Sequence, residues 1–163
     1  MIHVLFLCTG NSARSILGEA LLNAHPGAAG RLRAFSAGSH PRGSVNPLAL
    51  DVLRQQGVAP GALRSKSWDE FARSDAPPID VVITVCDDAA AETCPVWPGH
   101  PVTVHWGLPD PAAVEGDDRT KRAAFDVTSA ELRARVDRLV DLPLEAMTAE
   151  ARRAAIGRVA GGG

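Results

Sequence analysis

The sequence has no tyrosine, and only 4% of its 163 residues are aromatic. It also lacks a strong charge of either sign, since the formal net charge is −2. A charge this small excludes a broad electrostatic attraction to nucleic acid or anionic lipid, so we expect neither as a partner. Fifteen of the seventeen basic residues are arginine, but they are scattered along the chain. No apolar run is long enough to cross a bilayer, and we therefore expect no membrane association.

Cysteine is also scarce, with Cys8, Cys86 and Cys94 as the whole set. The chain opens on a strand-like run without the basic segment and cleavage site of a secretory signal, so we expect a cytoplasmic protein. In that reducing compartment three cysteines indicate free thiols, and the odd number points to redox chemistry. No cysteine or histidine spacing is typical of a zinc site, and no metal site is predicted.

Strand-like and helix-like segments alternate along the chain, which predicts one α/β domain with a parallel sheet. Short connections favour a doubly wound sheet whose functional site lies at the carboxyl ends of the strands. The expected strands are residues 4–7, 32–36, 80–85 and 101–105. The expected helices are residues 14–24, 47–57, 118–141 and 148–158. We expect a catalytic domain over residues 1–145, and a helical extension with a flexible tail over residues 146–163.

The most informative segment joins the first strand to the first helix and reads Cys8-Thr9-Gly10-Asn11-Ser12-Ala13-Arg14-Ser15. A loop at this position turns backbone N–H groups inward and adds the helix dipole, which favours a tetrahedral anion. The same field favours a thiolate, so we expect a lowered pKa for Cys8. Arg14 supplies donors that can grip two oxyanion oxygens. The alternative is that Cys8 is a small buried hydrophobe and Arg14 an exposed helix residue.

This Cys-x5-Arg-Ser motif resembles that of the low-molecular-weight protein tyrosine phosphatases and of the arsenate reductases built on the same fold. Ser36-Ala37-Gly38 and Asp110-Pro111 match the family as well, and the resemblance covers residues 2–142. It implies a three-layer α/β sandwich with a four-stranded parallel sheet in flavodoxin-like order. It also implies Cys8 as the nucleophile and Arg14 as the oxyanion clamp.

The resemblance further implies that Asp110 is the general acid and that Asn11 and Ser36 are a pair that supports the loop. The Ser15 hydroxyl is a candidate donor to the Cys8 thiolate, with an ordinary first-turn serine as the alternative. Some members of the family bind a potassium ion through Asn, Glu and Asp side chains near the loop. Asn11 and Glu19 match that pattern, but residues 64–67 carry a lysine and no carboxylate, so we predict no such ion.

Cys86 directly follows a predicted buried strand, which places it at the sheet edge where Cys8 is expected. Val85-Cys86-Asp87-Asp88 and Thr93-Cys94-Pro95 resemble the segments that carry the second and third redox cysteines of three-cysteine arsenate reductases. That resemblance implies a disulfide relay from Cys8 through Cys86 to Cys94. The alternative is that Cys86 is a core residue and Cys94 has no role.

The phosphatases place an aromatic residue soon after the Asp-Pro pair, whereas this chain has Ala112-Ala113. That departure favours a small inorganic substrate, and the pattern is interpreted as an arsenate reductase. Arsenate is the expected substrate, with phosphate or sulfate as analogues. We expect a monomer with no bound cofactor, regenerated by an external thiol, either thioredoxin or glutaredoxin with glutathione. The alternatives are a phosphotyrosine phosphatase that uses Cys8, and a non-catalytic oxyanion or redox sensor.

Overall fold

The computed structural model describes residues 1–87, 97 and 100–161. Each strand and helix predicted from the sequence has a counterpart in these residues. The strands are β1 (Ile2–Leu7), β2 (Leu32–Ala37), β3 (Val81–Thr84) and β4 (Val102–His105). The helices are α1 (Arg14–Ala24), α2 (Pro47–Gln55), α3 (Asp118–Val140) and α4 (Ala149–Gly161). Cys94 lies outside the described residues.

The four strands form one parallel sheet in the order β2-β1-β3-β4. Alternate residues of β1 enter different hydrophobic clusters, with Val4 and Phe6 in one and Leu5 and Leu7 in the other. A parallel sheet is covered on both faces, and two separate clusters on one strand are the expected result. The predicted three-layer fold with flavodoxin-like strand order is confirmed.

Helix boundaries follow local chemistry. The α2 helix begins where the Asn46 side chain accepts a hydrogen bond from the Leu48 N–H at 2.9 Å and Pro47 takes the first helical position. It ends before Gly57, whose φ of +77° is accessible to glycine at little cost. The α1 helix stops before Pro26, since proline disfavours a helical residue ahead of it.

The longest helix, α3, buries one stripe of apolar side chains. Its fully or almost fully buried members include the four predicted for this face, namely Phe125, Leu132, Val136 and Leu139. Their spacing of three, four or seven residues repeats the helical period, so one face meets the core. Among the described helices, none has the length and apolar character needed to span a membrane.

The α4 helix packs against β4, and its Ile156 and Val159 join the core cluster. The Trp106 indole N–H donates to the Ile156 carbonyl at 3.0 Å, which joins this helix to the segment after β4. Residues beyond 146 therefore contribute to the same core as the sheet. The division into domains at residue 145 stays a prediction.

The carboxyl ends of three neighbouring strands meet at one edge of the sheet. The Val85 N–H donates to the Leu7 carbonyl at 2.9 Å, and the Leu108 N–H donates to the Val85 carbonyl at 3.1 Å. The segments that follow β1, β3 and β4 are therefore held together. These segments carry Cys8, Cys86 and Asp110 respectively.

Candidate active site

The segment after β1 forms a tight loop over residues 8–14. Its carbonyl oxygens bond away from the loop: Thr9 accepts from the His40 N–H at 2.9 Å, and Gly10 accepts from the Arg42 N–H at 3.0 Å. Asn11 has a φ of +41°, the left-handed conformation that asparagine tolerates better than most residues. The Thr9 and Gly10 carbonyls are thus bonded outside the loop, an arrangement that favours N–H groups turned toward a bound anion.

The loop surrounds a cavity of about 30 Å³. Its lining combines the loop with side chains from two other segments, namely Cys8, Gly10, Asn11, Ser12, Ala13, Arg14, Arg42, Asp110 and Ala112. A cavity of this size suits a small inorganic anion, and Arg14 and Asp110 also line a neighbouring pocket of about 280 Å³.

Arg14 is the first residue of α1, and its side chain is 13% exposed. One terminal nitrogen donates to the Leu108 carbonyl at 2.8 Å, and the other lies 3.7 Å from Asp110 Oδ2. Its Nε is buried without a hydrogen-bond partner among the described residues. A buried donor without a partner is costly, so this N–H is available to an oxyanion in the cavity.

Cys8 and Cys86 lie side by side at the ends of adjacent strands. They are 6% and 3% exposed, both are free thiols, and the two thiols are in hydrogen-bond contact. The Thr9 N–H donates to Cys86 Sγ at 3.3 Å, which holds that sulfur against the loop. The β1–β3 pairing produces this contact, because Leu7 faces Thr84 in the register and each cysteine follows soon after.

Asp110 faces Arg14 from the segment after β4. Its Oδ1 accepts from the Ala112 N–H at 3.0 Å and so caps the short 3-10 helix Pro111–Ala113. The side chain is 34% exposed and lines the cavity. One carboxyl oxygen is therefore held by the backbone, while the other is near the Arg14 fork at the cavity.

A model of the low molecular weight phosphotyrosine protein phosphatase family matches residues 3–153. The chain belongs to this family. An arsenate reductase of Bacillus licheniformis is 36% identical over 138 residues, which are 85% of this chain and 94% of that protein.

Solved structures share the fold. A structure described as an arsenate reductase in the phosphate binding state has a TM-score of 0.68 and 26% identity, over 86% of this chain and 97% of that one. The thioredoxin-dependent arsenate reductase of Corynebacterium glutamicum has a TM-score of 0.57 and 27% identity, over 84% of this chain and 62% of that one.

The expected lowering of the Cys8 pKa is wrong. The contact with Cys86 and burial raise the pKa of Cys8, and they outweigh Arg14 and the Gly10 backbone N–H, which lower it. The sequence reveals the loop and the helix dipole around this family's nucleophile. It does not reveal that a second thiol competes for the same proton or that both sulfurs are buried.

The two predicted support residues, Asn11 and Ser36, are linked through Lys66. The Lys66 N–H donates to Asn11 Oδ1 at 2.9 Å, and Lys66 Nζ donates to the Ser36 carbonyl at 2.8 Å. The Ser36 hydroxyl donates to Glu19 instead. Asn11 also donates to the Ser15 hydroxyl at 2.8 Å, while the expected bond from Ser15 to Cys8 stays a prediction.

Sequence reasoning missed two further groups at this site. Arg42 lies over Gly10 and brings a second guanidinium to the cavity. The His105 ring lies between Thr84 Oγ1 and Asp87 Oδ1, at 2.8 Å from each, and so ties the residue after Cys86 to β4. Neither Arg42 nor His105 belongs to the quoted motifs, and only the packing of separate segments brings them here.

Proposed function

We propose that this chain is an arsenate reductase in which Cys8 attacks arsenate and Cys86 takes up the oxidation. The observation that carries the proposal is the contact between the two buried thiols beside the anion loop. Hydrolysis of a phosphate ester needs one nucleophilic thiol, whereas reduction needs a second thiol within bonding reach of the first. The arsenate reductases among the relatives support the same assignment.

In the first step the loop and Arg14 hold arsenate, Cys8 gives its proton to an arsenate oxygen, and the resulting thiolate attacks arsenic. An S–As bond forms as an As–OH bond breaks, and Asp110 supplies the proton that converts the departing hydroxide into water. Arg14 stabilises the negative charge on the remaining oxygens because its Nε donor is unpaired within the described part of the chain. The product of this step is arsenic(V) bound to Cys8.

In the second step the Cys86 thiolate attacks Cys8 Sγ. An S–S bond forms, the S–As bond breaks, and its electron pair stays on arsenic, so arsenite leaves. The two cysteines lose the two electrons that arsenic gains. This attack needs little movement, since the two thiols already touch in the reduced protein.

We propose that Cys94 then attacks Cys86, which releases Cys8 and leaves a Cys86–Cys94 disulfide. An external thiol reduces that disulfide, and the thioredoxin dependence of the Corynebacterium glutamicum relative supports thioredoxin as the donor. No bound cofactor takes part in these steps. We place the reaction in the cytoplasm, because free thiols persist in reducing compartments. We propose a monomer as the active form.

The test is arsenate-dependent NADPH oxidation with thioredoxin and thioredoxin reductase, beside hydrolysis of an aryl phosphate. A parallel assay supplies glutaredoxin and glutathione in place of thioredoxin. We expect many turnovers with one donor, which would exclude a non-catalytic sensor. If arsenate is never reduced while the aryl phosphate is hydrolysed, the chain is a phosphatase and the proposal fails.

The Cys86→Ser variant distinguishes arsenate reduction from phosphate ester hydrolysis within one protein. It should abolish arsenate reduction and leave aryl phosphate hydrolysis, because hydrolysis uses only Cys8, Arg14 and Asp110. Cys94→Ser should stop the relay one step later and trap a Cys8–Cys86 disulfide, seen by peptide mapping without reductant. Sustained arsenite production by Cys86→Ser with thioredoxin alone would mean that electrons reach Cys8 directly.

A further inference from the structure

A mostly buried lysine side chain lies behind the anion loop. The Lys66 side chain is only 9% exposed. Its Nζ donates to the Ser36 carbonyl at 2.8 Å and to the Arg64 carbonyl at 2.9 Å, and lies 3.9 Å from Glu19 Oε1. Two backbone carbonyls and one carboxylate thus surround a single positive charge.

The backbone of Lys66 contacts the same loop. Its N–H donates to Asn11 Oδ1 at 2.9 Å, and its carbonyl accepts from the Gly38 N–H at 2.9 Å. Asn11 is fully buried and has a positive φ, a conformation that costs about 1–3 kcal/mol and persists only where its surroundings impose it. Within the described residues, Lys66 and Ser15 hold the Asn11 side chain.

The ion pair with Glu19 does not by itself account for this arrangement. The 3.9 Å separation is longer than either carbonyl bond of the ammonium. Burial lowers the pKa of Lys66 and raises the pKa of Glu19, so each charge is partly desolvated. Buried ion pairs are weak sources of stability. The free-energy cost of desolvating these two charges is more readily explained when the lysine charge also orders neighbouring groups.

We propose that Lys66 is a positioning residue for oxyanion binding. Its ammonium joins the end of β2 to the segment at residue 64, and this connection holds its own N–H against Asn11. Asn11 then keeps the backbone curvature that the loop needs to bind the anion. The proposal rests on the proposed function in one respect, that residues 8–14 are an oxyanion site.

The test is the dissociation constant of inorganic phosphate, measured by its protection of Cys8 from alkylation. Lys66→Met keeps the side-chain length but removes the charge and the donors. We expect the phosphate dissociation constant to rise about tenfold, the size expected for losing charge-assisted hydrogen bonds that hold the loop. Lys121→Met makes the same change in the first turn of α3 and should leave phosphate binding unaltered.

The double variant Lys66→Met/Glu19→Gln separates positioning from simple charge compensation. It removes the buried carboxylate that Lys66→Met alone would leave unpaired, so its melting temperature should recover most of any loss. If Lys66 positions the loop, phosphate binding stays weak in the double variant. If phosphate binding recovers together with the melting temperature, Lys66 only neutralises Glu19 and the proposal is overturned. If Lys66→Met does not fold, phosphate binding by the double variant alone tests the proposal.

Chemical rescue gives a second readout that a loss of side-chain packing would not move. In Lys66→Ala, methylammonium should partly restore phosphate binding, because it can donate to the same carbonyls. Tetramethylammonium at equal ionic strength has no N–H donor and should not. Equal effects of the two cations would overturn the proposal. Failure of the proposed function would instead appear in the wild-type protein, as absent arsenate reduction.

Discussion

The two sides of the anion loop are built in opposite ways. At the front, which is made of Cys8, Cys86, Arg14 and Asp110, the side chains of Arg14 and Asp110 have hydrogen-bonding atoms that can still take a partner. Arg14 Nε has no partner in the described part of the chain, and Asp110 Oδ2 is 3.7 Å from the nearest Arg14 nitrogen. The groups on this side can therefore form new bonds as charge develops on a substrate.

At the rear, the side chains of Asn11, Glu19, Ser36 and Lys66 are hydrogen-bonded within the protein. Asn11 bonds on both sides of its amide, and the Lys66 ammonium has two carbonyls and a nearby carboxylate. A buried group whose bonds are satisfied keeps one position. Reactive groups and rigid groups thus lie on different sides of one loop, so front and rear substitutions should have different consequences.

Cys8→Ser should give the largest effect at the front. Removal of a nucleophile from a catalytic unit costs on the order of 10⁶-fold in rate, so both arsenate reduction and aryl phosphate hydrolysis should be lost. The melting temperature should hardly change, because serine is close to cysteine in size. Steady-state rates and thermal unfolding check this. Hydrolysis that survives at the wild-type rate would remove Cys8 from the mechanism.

Asp110→Asn should give the next largest effect on activity. General acid catalysis contributes about 10²–10⁴-fold, and kcat should fall in this range. Asparagine can still accept the bond from the Ala112 N–H, so stability should be nearly unchanged. Rates should be compared for aryl phosphates with good and poor leaving groups, since a good leaving group needs no proton. The same loss for both kinds of ester would argue that Asp110 is not the acid.

Gly38→Ala tests the rear, because the Gly38 N–H donates to the Lys66 carbonyl at 2.9 Å. An added Cβ would clash with the Thr9 carbonyl oxygen and lie 2.6 Å from that of Cys8, and backbone atoms cannot move aside easily. We expect a loss of about 1–3 kcal/mol in the free energy of unfolding, together with weaker phosphate binding. Urea denaturation measures the first. Gly157→Ala in α4 is the control, because nothing lies within 4 Å of its added Cβ and alanine favours a helix. A Gly38→Ala protein as stable as the wild type would show that the loop tolerates displacement.

The smallest expected effect concerns the proton on Cys8. Contact with Cys86 is the largest cause of its raised pKa, so Cys86→Ala should lower the pH midpoint of Cys8 alkylation. In the wild type this midpoint should lie above that of a free thiol, about 8.5. Mass spectrometry of the Cys8 peptide follows the reaction without interference from Cys94. A wild-type midpoint below the free-thiol value, unmoved by Cys86→Ala, would mean that the loop field outweighs the neighbouring thiol.

Local sequence patterns predicted the secondary structure well. The α1 helix spans Arg14–Ala24 as expected, because apolar spacing and a following Pro26 define both of its ends. Strand ends shift by a few residues, because pairing decides them and local pattern does not. The β1 strand begins at Ile2, where the register pairs it with Leu32, and not at residue 4.

Sequence patterns were enough to predict the fold class and the Cys8–Arg14 loop. Alternating segments, capping residues and a short motif act through neighbours along the chain, so their consequences are local. The contact of Cys86 with Cys8, and the bonds of Lys66 to Asn11 and Ser36, arise from tertiary packing. Both depend on groups 30 to 78 positions apart that strand register and loop packing bring together, and several partners are backbone carbonyls that no residue type reveals. Burial of these groups, which sets the sign of the Cys8 pKa shift, is likewise a property of the assembled core.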